Sequence, residues 1–135
     1  MTLMMLTETW LRDHLDAEVA IDGYTLYRAD RNRRKKKRGR NSGGVAVYLR
    51  DDVTTLTEVL LQYSSGVIEA LCLRIPKLNL VLVTLYRQPN DSAGGNFSTS
   101  EQFQVFLQEL EEILKSLQSP LPTIIIAGDF NLPYT

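Results

Sequence analysis

One cysteine, one histidine and one tryptophan are all that this chain of 135 residues contains of those three types. A lone cysteine, Cys72, excludes an intrachain disulfide. It sits in an apolar strand-like pattern and reads as a small buried hydrophobe, which fits a reducing compartment and not a secreted protein. The sequence has no paired Cys/His zinc spacing, no Gly-rich phosphate loop of the Walker type and no Gly-x-Ser-x-Gly elbow. No apolar run is long enough to span a membrane. The apolar opening, residues 1–6, is too short for a secretory core, and Glu8 interrupts it.

Length and an apolar share of 44% suit a single domain with its own core. The net charge of −1 hides an asymmetry, because eight of the fifteen Lys and Arg lie within residues 31–40. They are Arg31, Arg33, Arg34, Lys35, Lys36, Lys37, Arg38 and Arg40. The remainder holds seven cations against sixteen acids, a net of −9. An acidic body with one dense basic segment suggests a polyanionic partner met by a local arm. The segment has no large apolar residue and reads as a solvated, self-repelling loop. It can contact phosphate backbone without sequence preference, serve as a nuclear-targeting patch, or simply be a flexible surface loop.

Hydrophobic patterning predicts strands at residues 3–7, 24–28 and 45–50. Residues 10–15 read as a short helical turn or loop, and 53–63 as ambiguous. Residues 67–75 and 78–86 flank Pro76-Lys77 and predict an antiparallel hairpin of core strands. Within the first of these, Glu69 reads as a strand-face charge near the sheet end, with a hydrogen-bond anchor for a nearby loop as the alternative. Ser98 and Glu101 fit a capping box that opens a helix running to about Gln118. Its apolar stripe is Phe103, Phe106, Leu107, Leu110, Leu114 and Leu117, with Glu109, Glu112 and Lys115 facing water. Thr123 and Ile124 to Ile126 then predict a buried strand. The order of elements is that of an α/β layered domain.

That last strand runs into Gly128-Asp129-Phe130-Asn131. In extended chain, residues two apart share a face, so Asp129 and Asn131 point one way and Phe130 the other. A carboxylate and a carboxamide together can hold a water, a phosphate oxygen or a hard cation. Gly, Asp and Asn are also ordinary turn residues. Glu8 and Tyr86 likewise lie at or just past strand ends, where sites gather on sheet scaffolds. Glu8 is a hard oxygen ligand suited to Mg²⁺. Tyr86 offers a phenol to a phosphate oxygen, Asp129 can orient or deprotonate a water, and Asn131 can donate to a developing oxyanion. His14, the one histidine, reads as a solvated or capping side chain.

Several blocks, in order, resemble the endonuclease/exonuclease/phosphatase family, and within it the endonuclease domain of non-LTR (LINE-type) retrotransposons. LTETWL at 6–11 resembles the metal-glutamate block, with Glu8 at the ligand position. YRADR at 27–31 followed by SGGVAVYLRDDV at 42–53 resembles a basic loop feeding a Gly-Gly strand. IEALCLRI at 68–75, LYRQPN at 85–90 and AGDFNLP at 127–133 complete the series, with Tyr86 at the active-site tyrosine position. The resemblance implies a two-sheet α/β sandwich with helices on both outer faces. It also implies hydrolysis of a DNA phosphodiester with Mg²⁺ (or Mn²⁺), with Glu8 on the metal, Asp129 orienting water, and Asn131 and Tyr86 on the scissile phosphate.

The family pattern also carries an Asn ahead of the Glu block, and later an Asp and an Asp-His pair. None of these blocks is found at its place in the sequence, and the Asp13-His14 dipeptide just after the Glu block is in the wrong position to serve. The resemblance therefore implies the middle of a domain, truncated at both ends, with free strand edges and an uncovered apolar face. It further implies no nicking by this polypeptide alone. The alternatives are a non-catalytic remnant that binds nucleic acid or a partner, and a branch of the family acting on RNA or phosphoinositides.

Overall fold

A computed structural model describes residues 1–12, 14–31, 43–89 and 97–131, the side chains of 97–100 aside. Of the basic segment only Arg31 is among them. Arg33, Arg34, Lys35, Lys36, Lys37, Arg38 and Arg40 lie outside the described residues.

Two sheets face each other. The first has three strands in the order β1 (Leu3–Thr7), β3 (Val45–Arg50), β2 (Tyr24–Ala29), all antiparallel. The second has four, β4 (Glu58–Ser64), β5 (Ile68–Ile75), β6 (Leu80–Arg87) and β7 (Thr123–Asp129). Its pairs are antiparallel except β6 with β7, which are parallel and joined through helix α1 (Phe97–Lys115). A parallel pair needs such a crossover, whereas β5 and β6 close through a single 3₁₀ turn at Pro76–Leu78. The ambiguous stretch 53–63 resolves as a 3₁₀ turn followed by β4.

β5 and β6 are apolar on both faces because each face is covered. Leu71, Leu73, Leu82 and Tyr86 meet Val45, Val47 and Leu49 of β3 between the sheets. Ile68, Ala70, Cys72, Val81, Val83 and Leu85 meet Phe106 and Leu110 of α1 on the other side. Cys72 is fully buried there, and burial pushes its thiol up to about 11. A side chain such as Phe106, with no exposed surface, contributes roughly 1.5–3 kcal/mol by leaving water.

Three expectations change. Among the described residues the one α-helix covers the four-stranded sheet only. The outer face of the other sheet carries the 3₁₀ turn Asp16–Val19, held by the Tyr48 hydroxyl donating to the Val19 carbonyl at 2.6 Å. Ile124, Ile125 and Ile126 are 40–45% exposed instead of buried, because β7 is the last strand of its sheet. The helix begins at Phe97, ahead of Ser98, and Leu107 of its apolar stripe is exposed.

Candidate active site at one end of the sandwich

β1 and β2 run alongside β3 in the opposite direction, so both end where β3 begins. Thr7 and Ala29 each pair with Val45. The residues just beyond, Glu8, Arg31 and Gly44, therefore converge on one end of the sandwich. In the facing sheet Glu69, Tyr86 and Asp129 form one row, Glu69 opposite Tyr86 and Tyr86 opposite Asp129. Paired residues share a face and neighbouring strands lie about 4.8 Å apart. Tyr86 belongs to the core between the sheets, so the whole row faces inward.

A hydrogen bond links the two sheets here: the Tyr86 hydroxyl donates to Glu8 Oε1 at 3.2 Å. Glu8 is exposed and Tyr86 buried. Burial, then the charge and hydrogen bond of Glu8, push the Tyr86 phenol up to about 12. The Asp129 charge adds to this and Arg31 opposes it. The phenol therefore stays protonated across the physiological range and acts as a donor. Glu8 and Trp10 both have left-handed backbone, with φ of 52° and 59°. Such conformations cost a non-glycine residue about 1–3 kcal/mol and persist where the surroundings impose them.

Gly128 lets β7 deliver Asp129. A Cβ at Gly128 would lie 2.0 Å from the Leu85 carbonyl oxygen, so no larger residue fits without moving β7 off β6. Asp129 is half-buried in the row. Phe130 packs on the helix side of the sheet, as alternation requires. Asn131 leaves the strand with φ of 42° and is tied back to β6, its Nδ2 donating to the Arg87 carbonyl at 2.6 Å. Glu8, Tyr86 and Asp129 thus come together, with Asn131 fixed beside them and one of its N–H groups engaged. His14 Nδ1 accepts from the Arg12 amide at 3.1 Å, a local capping contact.

Among the described residues no group of three or more His, Cys, Asp or Glu could hold a metal. Mg²⁺ keeps several waters and takes one or two carboxylates with substrate phosphates, so the exposed Glu8 carboxylate fits as a single protein anchor.

Two readings of the sequence need correcting. Arg31 is not part of a solvated arm. It is buried, its Nε donating to Glu69 Oε2 at 3.2 Å, because β2 ends against the inner face of the other sheet. Glu69 does lie on a strand face near the sheet end, but that face is the inner, covered one. It has no exposed surface and also accepts from the Gly44 amide at 2.6 Å, the anchoring role. The signal was present: a carboxylate inside an apolar strand needs a buried partner.

Three solved structures share this fold at low sequence identity. An AP endonuclease from Leishmania major aligns over 97% of this chain and 46% of its own, with 19% identity and a TM-score of 0.57. The human Nocturnin catalytic domain, solved with a bound sulfate, aligns over 98% and 52%, with 16% identity and 0.58. A humanized D. rerio TDP2 aligns over 98% and 50%, with 16% identity and 0.51. The chain spans about half the length of these structures. No curated protein sequence matches it. The family model for endonucleases, exonucleases and phosphatases matches residues 2–135. The two-sheet sandwich and that match together place the chain in the endonuclease/exonuclease/phosphatase family.

Proposed function

We propose that the Glu8, Tyr86, Asp129 and Asn131 end of the sandwich is part of a phosphodiester-hydrolysing site of a DNA-nicking endonuclease of retrotransposon type. The observation that carries the proposal is the Tyr86–Glu8 hydrogen bond at 3.2 Å, with Asp129 in register beside Tyr86. It joins a hard anionic ligand, a neutral donor and a second carboxylate at one opening. Family membership supports a nuclease or phosphoesterase hydrolase. An AP endonuclease among the similar structures supports nucleic acid as substrate.

Glu8 would hold Mg²⁺, with Mn²⁺ as an alternative. The bound cation would offset charge developing on the phosphoryl oxygens. Tyr86, neutral to high pH, would turn its one hydroxyl proton from Glu8, once a cation sits on that carboxylate, to a non-bridging phosphate oxygen. Asp129 would orient the attacking water and take its proton. Asn131 would donate its remaining amide N–H to the same phosphate. The seven cations at residues 33–40 would grip DNA backbone, and their density also suits nuclear targeting.

A second reading is favoured by the density of cations at residues 33–40. In it, the 135-residue polypeptide binds nucleic acid without cutting it. A site that works as a unit loses most of its rate enhancement when several members are missing. We therefore expect no Mg²⁺-dependent nicking of supercoiled plasmid by this polypeptide alone. Nicking abolished by Glu8→Ala or Asp129→Ala would reject that reading. Calorimetric titration with Mg²⁺ tests the site itself. The wild-type chain should bind and Glu8→Gln should bind at least about tenfold more weakly. Equal binding by both would remove Glu8 from the metal's coordination.

A further inference from the structure

Arg31 and Glu69 form an ion pair between the sheets, 7% and 0% exposed. A fully buried carboxylate is costly unless it is paired and hydrogen-bonded. The partners of this one lead around a closed circuit. Glu69 Oε1 accepts from the Gly44 amide at 2.6 Å. One residue back, the Gly43 carbonyl accepts from the Trp10 amide at 2.9 Å. Trp10 is two residues beyond Glu8, and Glu8 accepts from the Tyr86 hydroxyl at 3.2 Å. The Tyr86 ring lies under the Arg31 guanidinium, 5.7 Å from its centroid, within cation–π range. Arg31 returns to Glu69 at 3.2 Å.

The circuit is packed as well as hydrogen-bonded. A Cβ at Gly43 would lie 2.2 Å from Glu69 Oε1 and 2.6 Å from Arg31 Cζ, so this backbone rests directly on the ion pair. The left-handed backbone at Glu8 and Trp10 needs surroundings that impose it, and the Gly43 carbonyl on the Trp10 amide is one such restraint.

We propose that the buried Arg31–Glu69 pair is a positioning unit. Through the Gly43-Gly44 turn on one side and the Tyr86 ring on the other, it sets the Glu8 carboxylate at the mouth of the site. Its consequence for metal binding rests on the function proposed above. Its consequence for the Glu8 loop does not.

Trp10 is the chain's single tryptophan, and its backbone amide is a member of the circuit while its indole is exposed, so its fluorescence reports on the Glu8 loop. The test compares Glu69→Gln, Arg31→Met and Gly43→Ala with Cys72→Ala, a buried change on the helix side of the sheet. Far-UV circular dichroism selects the variants that fold. In the folded circuit variants, acrylamide should quench Trp10 more strongly than in the wild type. Mn²⁺ affinity, read as free Mn²⁺ by paramagnetic resonance, should fall about tenfold, the usual size of an outer-shell effect. Cys72→Ala should move neither readout. Wild-type quenching in all folded circuit variants would overturn the proposal, as would an equal shift in Cys72→Ala. If the wild-type chain binds no Mn²⁺, the functional reading fails, and Trp10 quenching still decides the positioning role.

Discussion

Leu82 of β6 and Ile125 of β7 are register partners on adjacent parallel strands and face the same side of the sheet. Leu82 is 1% exposed and Ile125 is 43%. β6 has a neighbour on each side and a layer on each face, and all eight of its residues are buried. Among the described residues β7 has β6 on one side only. Two strands with the same apolar character thus do different work. β6 holds the core together and presents Tyr86. β7 contributes less to the core and carries Asp129 and Asn131 at its end. Strand propensity is local, but burial is set by which strands lie alongside.

The sharpest way to test this contrast is a pair of truncations. Leu82→Ala should cost about 2–5 kcal/mol in urea unfolding, the usual range for a leucine removed from a core. Ile125→Ala should cost about 1 kcal/mol or less, since the side chain is 43% exposed and belongs to neither core cluster. Equal costs would show that β7 is covered in solution and would end the distinction.

A second contrast sets Arg31 against the rest of the basic segment. Arg31 is committed to Glu69, so the proposed grip on DNA falls to residues 33–40. Replacing Lys35, Lys36 and Lys37 together by Ala should lower the salt-dependence slope of duplex binding by about 2.7, at about 0.9 for each phosphate no longer neutralised. An unchanged slope would mean that these lysines do not touch the DNA backbone.

A smaller effect concerns Tyr86 at high pH. Its phenol is pushed from the ordinary 10.0 up to about 12 in the folded chain, so the folded state keeps the proton over a range where the unfolded state has released it. Its contribution to stability is complete below about pH 10 and drains away as pH rises toward about 12. Wild-type stability should fall more steeply than that of Tyr86→Phe between about pH 10 and pH 11.5. Parallel curves would mean that the phenol is not shielded by burial and Glu8.

Much of this was legible in the sequence because the determinants are local. Alternation and turn residues set the strand at Leu3–Thr7, the strand at Val45–Arg50 and the hairpin around Pro76. Tyr86, Asp129 and Glu8 could be singled out because each sits where a strand pattern ends. The exposure of Ile124 to Ile126 could not be read, since it depends on what lies beside β7. Arg31 was misread because the residues from Arg33 onward are densely cationic, while its spatial neighbour, Glu69, is 38 residues away. Glu69 was misread for the reciprocal reason. Its partners come from the facing sheet, and strand periodicity says nothing about which residues meet across a sandwich.

Glu8, Tyr86 and Asp129 are proposed to share one cation-binding opening. This is tested most directly by adding substoichiometric Mn²⁺ to the ¹⁵N-labelled chain and recording which amide resonances broaden. Glu8, Tyr86, Asp129 and their immediate neighbours should broaden first, and Glu8→Gln should remove the effect. Broadening centred elsewhere, or unchanged in Glu8→Gln, would contradict it.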